Sequence, residues 1–91
     1  MKNLRKIFGS GTRVGILKLL LENRGQEYYV RELSKLLGMP TNAIYNASND
    51  LITTGICKHR EEKWKKFILL EENPEVVEAL QVLFNFLQNE D

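Results

Sequence analysis

The sequence predicts a mostly α-helical domain with a small β-hairpin, and three stretches of its 91 residues support this fold class. Residues 30–44 have the pattern of a short amphipathic helix, a tight break and the start of a second helix. Residues 56–70 have the pattern of two short strands joined by a charged turn. In residues 76–87, Val and Leu recur at spacings of four, three and four, as on one face of a last helix. A chain of this length has room for one modest core.

The composition favours a globular protein and excludes several other classes. The sequence is 43% hydrophobic and 27% charged, which is typical of a soluble domain. No apolar run approaches the roughly 20 residues of a membrane span, and no long apolar stretch follows the basic residues near the N-terminus, so neither a membrane anchor nor a secretory signal is expected. Cys57 is the single cysteine. An internal disulfide is therefore impossible, which fits a reducing, cytoplasmic setting.

Charge is distributed unevenly along the chain. Residues 1–66 hold all thirteen Lys and Arg but six acidic residues, which gives a net charge of +7. Residues 67–91 hold six acidic residues and no basic one, which gives −6. A basic body is the electrostatic footprint of a protein that binds polyanions, and chance clustering of surface charge is the alternative.

A helix and a very short strand are predicted before the helix pair. Ser10 is placed to cap a helix over residues 11–23, whose wide apolar stripe through Leu17 and Leu21 predicts a central position. Residues 27–30 are aromatic and β-branched, which predicts a brief strand.

The break between the two paired helices is the most specific local signal. Leu33, Leu36 and Leu37 form the apolar face of the first helix. Gly38 favours the left-handed conformation that ends a helix, and Pro40 disfavours helix at the residue before it. Two short helices joined in this way predict a helix-turn-helix.

The second helix of the pair is predicted at about residues 41–54. Either Thr41 or Asn42 is placed to cap it, and Gly55 is placed to end it. Its predicted inward side chains are Ile44, Ser48 and Leu51.

The rest of the chain predicts a hairpin and a last helix. Residues 56–60 and 64–70 read as strands, with the turn at 61–63, although this turn lacks the Gly or Asn that tight hairpins prefer. Asn73 and Pro74 have the residue types of a helix cap and first helical position.

This order of elements is that of a winged helix-turn-helix, and the chain resembles a known family. Residues 7–17, 29–39 and 51–58 are similar to the corresponding segments of ArsR-like winged-helix regulators, especially archaeal ones. The resemblance covers roughly residues 7–70. It implies a dimeric transcriptional regulator that binds double-stranded DNA.

The resemblance further implies that residues 41–54 are a recognition helix in the major groove and that residues 56–70 are a wing on the DNA backbone. Polar side chains on the outward face of this helix suit base contacts, because Asn bonds adenine bidentately and Tyr reaches phosphates or thymine methyls. A solvated polar face is the alternative. The helix has no Lys or Arg, which predicts that its sequence specificity is A·T-leaning or modest. The predicted DNA-binding residues are Arg31, Thr41, Asn42, Tyr45, Asn46, Asn49, Lys58, Arg60, Lys63 and Lys65, with Arg13, Lys35, His59 and Lys66 as further phosphate contacts.

Other chemistry is not expected. Cys57 and His59 are too few ligands for a metal sensor, so Cys57 is expected to fill a core gap and His59 to lie on the surface. No catalytic constellation or phosphate-binding loop is recognisable, so neither an enzyme nor a cofactor is expected. Trp64 is expected to pack beside Ile68 or the Arg60 stem, with a wedge at the wing tip as the alternative.

The last helix predicts a homodimer. Residues 1–72 are expected to form the DNA-binding domain and residues 73–91 a dimerisation helix. Val77 and Phe84 are expected to cover the first helix of the same subunit, and packing of the entire apolar face on that subunit is the alternative. The predicted dimer interface consists of Val76, Leu80, Leu83 and Leu87. A winged-helix module that binds another protein without reading DNA is the alternative function.

Overall fold

Within residues 11–89, the chain forms four helices and three strands. The computed structural model describes the backbone of residues 11–89 and the side chains of residues 11–85; the predictions at Ser10 and at the Leu87 side chain lie outside these ranges. The elements are α1 (Gly11–Glu22), β1 (Tyr28–Tyr29), α2 (Val30–Leu37), α3 (Thr41–Thr53), β2 (Cys57–Glu62), β3 (Lys65–Leu70) and α4 (Pro74–Asn89). The predicted mostly α fold with a small hairpin is confirmed.

All of these elements contribute to one core, β1 through the partly buried Tyr28, which packs against it. Helix α1 is central, because Ile16, Leu17 and Leu20 are all buried. Ser48 and Ile44 of α3 point inward as predicted, and Cys57 fills a core position at the start of β2. The core side chains are Ile16, Leu17, Leu20, Leu33, Ile44, Ala47, Leu51, Cys57, Ile68, Leu70, Val77, Leu80 and Phe84.

The turn between α2 and α3 agrees with the prediction where α2 ends and differs from it where α3 begins. Gly38 has φ of 64° and its N–H donates to the Ser34 carbonyl, which ends α2 as predicted. The prediction that Thr41 or Asn42 caps α3 is wrong, since the N-cap is Pro40 and Thr41 is already helical. Leu36 was also predicted on the buried face, but it is 57% exposed because the eight-residue α2 buries only the side that carries Leu33.

The sheet has the strand order β1-β3-β2 and is antiparallel throughout. Glu62 pairs with Lys65, so the hairpin turn consists of Lys63 and Trp64 rather than of residues 61–63. Both turn residues have positive φ, 44° and 71°. A two-residue hairpin requires this geometry because it matches the strand twist, although left-handed backbone costs non-glycine residues roughly 1–2 kcal/mol each.

Helix α4 begins as predicted and packs on α1. The Glu75 N–H donates to Asn73 Oδ1 at 2.9 Å, and Pro74 is the first helical residue. Val77 and Phe84 are buried in the common core, as expected. Leu80 was predicted in the dimer interface, but it is 6% exposed within the single chain because it lies between Val77 and Phe84 on the side that contacts the core. Within residues 11–89, no helix combines the length and the apolar character that crossing a membrane requires.

Candidate nucleic-acid interface

Helix α3 presents a polar face to solvent. Its opposite side is fixed by four buried residues in the core, so the helix is held in one rotational setting. Thr41, Asn42, Tyr45 and Asn46 are exposed, and Tyr45 is 48% exposed. These four predicted residues therefore share one accessible face. The Thr41 hydroxyl already donates to Ser34 Oγ at 3.4 Å, whereas the amides of Asn42 and Asn46 can donate to and accept from a ligand.

Asn49, the fifth predicted residue of α3, is already engaged. It is half-buried, and its Oδ1 accepts a hydrogen bond of 2.5 Å from Lys66 Nζ of β3. The same ammonium lies 4.8 Å from the centre of the Tyr45 ring. The contacts of Lys66 with Asn49 and Tyr45 thus join the wing to α3.

The C-terminal part of α3 is tied to α1. Arg13 Nη2 lies 2.6 Å from Asp50 Oδ2. Asp50 is the single acidic residue of α3, and a phosphate would repel its carboxylate. Pairing with Arg13 offsets this charge and assigns Arg13 a role inside the protein.

The charge of Arg60 is balanced by carboxylates of the same chain. We define the base of the wing as Arg60, Glu62 and Phe67, with Glu27 packed against them. The Arg60 guanidinium donates to both Glu27 and Glu62 and lies 4.4 Å from the centre of the Phe67 ring. Hydrogen bonding to Arg60 lowers the pKa of Glu27, and the two carboxylates raise the pKa of Arg60. Arg60, predicted to contact DNA, is thus neutralised by its own chain.

The tip of the wing, defined here as residues 63–66, presents its charge outward. Lys65 Nζ lies 4.5 Å from the centre of the Tyr29 ring. The tip residues line two surface clefts that lie on either side of it. One cleft, toward α3, is lined by Tyr45, Glu61, Glu62, Lys63, Trp64, Lys65 and Lys66. The other, toward α2, is lined by Tyr29, Arg31, Lys35, Lys63, Trp64, Lys65 and Lys66.

The structure therefore brings some of the predicted residues together and separates others. Arg31, Lys63 and Lys65 meet around the tip, next to the exposed face of α3. Lys58 is exposed but lies near the other end of β2, opposite Leu69. Tyr29 was not predicted as part of the site, and its position two residues before Arg31, in an aromatic pair, is the only sequence signal for it.

Trp64 differs most from its prediction. It packs neither beside Ile68 nor along the Arg60 stem, because the turn places it at the outermost point of the hairpin, where it is fully exposed. Its side chain lines both clefts at the tip.

The Cys57 and His59 positions fit a structural role. Cys57 is buried, and burial raises the pKa of its thiol to about 12, whereas His59 is exposed. Among the described residues, no group of three or more His, Cys, Asp or Glu side chains is placed to hold a metal ion.

Comparison with solved structures gives a similar protein. The structure of reduced HlyU from Vibrio cholerae N16961 matches with a TM-score of 0.70 and 28% sequence identity, over 91% of this chain and 83% of HlyU. HlyU is a winged-helix regulator of the SmtB/ArsR family. The fold of this chain is that of an ArsR-like winged-helix regulator. The similarity supports a DNA-binding transcription regulator. No protein-family model and no curated protein matches the sequence.

Proposed function

We propose that this protein is a dimeric transcriptional regulator that binds double-stranded DNA sequence-specifically, with α3 in the major groove. The observation that carries the proposal is the exposed polar face of α3 lying beside five cationic side chains around the wing tip. Base edges in the major groove require hydrogen-bonding side chains, and phosphates require cations. The five cations are Arg31, Lys35, Lys63, Lys65 and Lys66.

The exposed residues divide into two roles. Asn42, Tyr45 and Asn46 read bases, and Thr41 at the start of α3 contacts the backbone or a base edge. The cations around the tip contact phosphates, which position the protein without carrying sequence information. Because Lys66 also contacts Tyr45, the phosphate contacts and the base contacts are mechanically joined.

Helix α4 supports the dimeric part of the proposal. A shallow apolar surface on its outward side is lined by Ala79, Val82 and Leu83, with Glu75 and Glu78 at its edge. Val82 is 62% exposed. A second copy of α4 would cover this strip through a two-fold contact, the commonest closed arrangement, and would place two recognition helices about 34 Å apart. The revised interface therefore keeps Val76, Leu83 and Leu87 of the predicted set and replaces Leu80 with Val82.

Selection from a random duplex pool tests sequence-specific binding. We expect the wild-type protein to enrich a motif of two related half-sites, richer in A·T than in G·C, and Asn46→Ala to enrich a less defined motif. Enrichment of no motif by the wild-type protein would contradict base reading by α3. We propose that the protein acts in the cytoplasm, as a regulator of the archaeal type.

Substitution in the apolar strip tests the dimer. Val82→Glu should yield monomers by sedimentation and weaken DNA binding, whereas Gln81→Glu adds the same charge at an exposed position outside the strip and should change neither. The same strip also favours the second candidate function, a module that docks another protein. Wild-type protein that is monomeric at tens of micromolar and does not bind DNA would favour that function.

A further inference from the structure

The only tryptophan of the chain stands at the most exposed point of the wing. Trp64 has a relative exposure of 104%, while its nearest neighbours along β3 are increasingly covered toward the core. Both turn residues adopt the left-handed conformation that Gly and Asn adopt more readily. Because this large apolar ring is wholly exposed to water, it contributes nothing to the packing of its own chain. Its exposure therefore indicates that it contacts a partner molecule.

The surroundings of Trp64 indicate the chemistry of that partner. Lys63 and Lys65 flank it in sequence, and the cleft on its α2 side adds Arg31 and Lys35. Two carboxylates, Glu61 and Glu62, lie on the other side, and Glu62 is paired with Arg60. An apolar ring between two cationic clefts is complementary to a groove whose apolar floor lies between two rows of phosphates.

We propose that Trp64 inserts its indole ring as a wedge into the minor groove of DNA, next to the major groove that α3 enters. This inference rests on the proposed DNA-binding function and adds to it a residue that deforms DNA. Apolar wedges in the minor groove partly unstack a base step and bend the duplex toward the major groove. The lysines beside Trp64 contact the phosphates of the two strands that border the groove.

The wing is braced so that the wedge keeps its position. Lys66 connects β3 to Asn49 and Tyr45 of α3, and Lys65 lies over Tyr29. Behind the tip, the Tyr29 and Phe67 rings meet edge to face with centres 5.9 Å apart. Trp64 therefore reports on DNA at a fixed offset from α3. It adds preference for steps that unstack easily, such as TA and CA, at positions that α3 does not touch.

The intrinsic fluorescence of Trp64 tests the wedge directly, because no other tryptophan contributes to it. Wild-type protein is titrated with a duplex enriched by selection, and acrylamide quenching is measured with and without DNA. We expect quenching by acrylamide to fall severalfold on binding, and 2-aminopurine placed beside the α3 site to brighten as its base unstacks. Binding that leaves Trp64 as accessible as in the free protein would overturn the wedge and leave the proposed function intact.

Variants at the tip separate the ring from the charge. Trp64→Ala should lower affinity roughly tenfold and reduce the bend measured by energy transfer between the duplex ends, with Trp64→Phe in between. Lys63→Ala should lower affinity and keep acrylamide protection of Trp64. Equal bending by wild type and Trp64→Ala would overturn the proposal. So would protection of Trp64 by anionic lipid vesicles with none from bound DNA. Failure of the wild-type protein to bind any duplex at low salt would instead contradict the proposed function.

Discussion

The base and the tip of the wing both carry basic side chains next to aromatic rings, but salt bridges balance the basic charge only at the base. At the base, Arg60 forms two ion pairs and covers the Phe67 ring, so its charge is balanced within the chain. At the tip, Lys65 and Lys66 lie over tyrosine rings, and none of the three tip lysines forms a salt bridge with a described residue. An aromatic ring orients a cation without neutralising it. A count of the basic residues in a hairpin therefore overstates the charge that a ligand meets.

The largest expected effect comes from reversing charge at the tip. Lys63→Glu combined with Lys65→Glu should weaken binding to every duplex by roughly 100-fold at low salt, because two phosphate contacts are replaced by repulsion. Affinity measured by fluorescence anisotropy checks this. Lys18→Glu, on α1 and away from both clefts, is the control for a change in net charge and should have little effect. An equal loss in the control would mean that the tip has no special role.

Substitutions on the exposed face of α3 should change the preference for particular DNA sequences rather than the affinity for DNA in general. Asn46→Ala should cost about 1–3 kcal/mol on the preferred duplex and little on an unrelated one. Tyr45→Ala should behave similarly, with an added loss from the contact to Lys66. Competition between two labelled duplexes measures the difference. A uniform loss on both would assign base reading to another element.

Stability should fall at alkaline pH because of Cys57, the buried core residue at the start of β2. Burial raises the pKa of its thiol from 9.0 to about 12, so the unfolded chain releases its proton at a lower pH than the folded chain. The stabilisation is complete below pH 9 and is lost as the pH rises toward 12, by about 1.4 kcal/mol at pH 10. Urea unfolding at pH 8 and pH 10 measures it. Cys57→Ala should be less stable at pH 8 but lose less on going to pH 10, and parallel losses would refute the assignment.

The smallest effect is expected for Arg60. Arg60→Gln should leave DNA affinity nearly unchanged and slightly lower the unfolding midpoint at neutral pH. Because Arg60 lowers the pKa of Glu27, the pair stabilises the fold above the usual pKa of a glutamate and this contribution is lost as the pH falls through the lowered value. Wild type and variant should therefore converge in acid. A loss of DNA affinity as large as that at the tip would show that the base also faces DNA.

The helices were the most predictable elements, because their patterns are local. The period of α3 located both its buried side and its exposed polar side, and Gly38 marked the end of α2. Periodicity did not decide between overlapping stripes. Leu80 belongs both to the apolar stripe predicted to face a second subunit and to the stripe that contains Val77 and Phe84. In the structure it packs in the core together with Val77 and Phe84.

The wing was less predictable, because its geometry depends on pairing between strands. Lys63 and Trp64 carry no turn signal of their own, and pairing along the whole of β2 and β3 forces them into the left-handed conformation. One of the two partners of Arg60 is also non-local, since Glu27 is 33 residues away. The sequence therefore predicted which residues were basic but not which of them remained available to a ligand.

The salt dependence of DNA binding measures how many phosphates the wing tip contacts. Affinity of the wild-type protein for its selected duplex should fall linearly in a double-logarithmic plot against salt concentration, with a slope that reports several phosphate contacts. Lys63→Ala should reduce that slope by about one, while Arg60→Gln should leave it unchanged. A flat response to salt, or equal slopes for the wild type and Lys63→Ala, would contradict a charged wing tip on the DNA backbone.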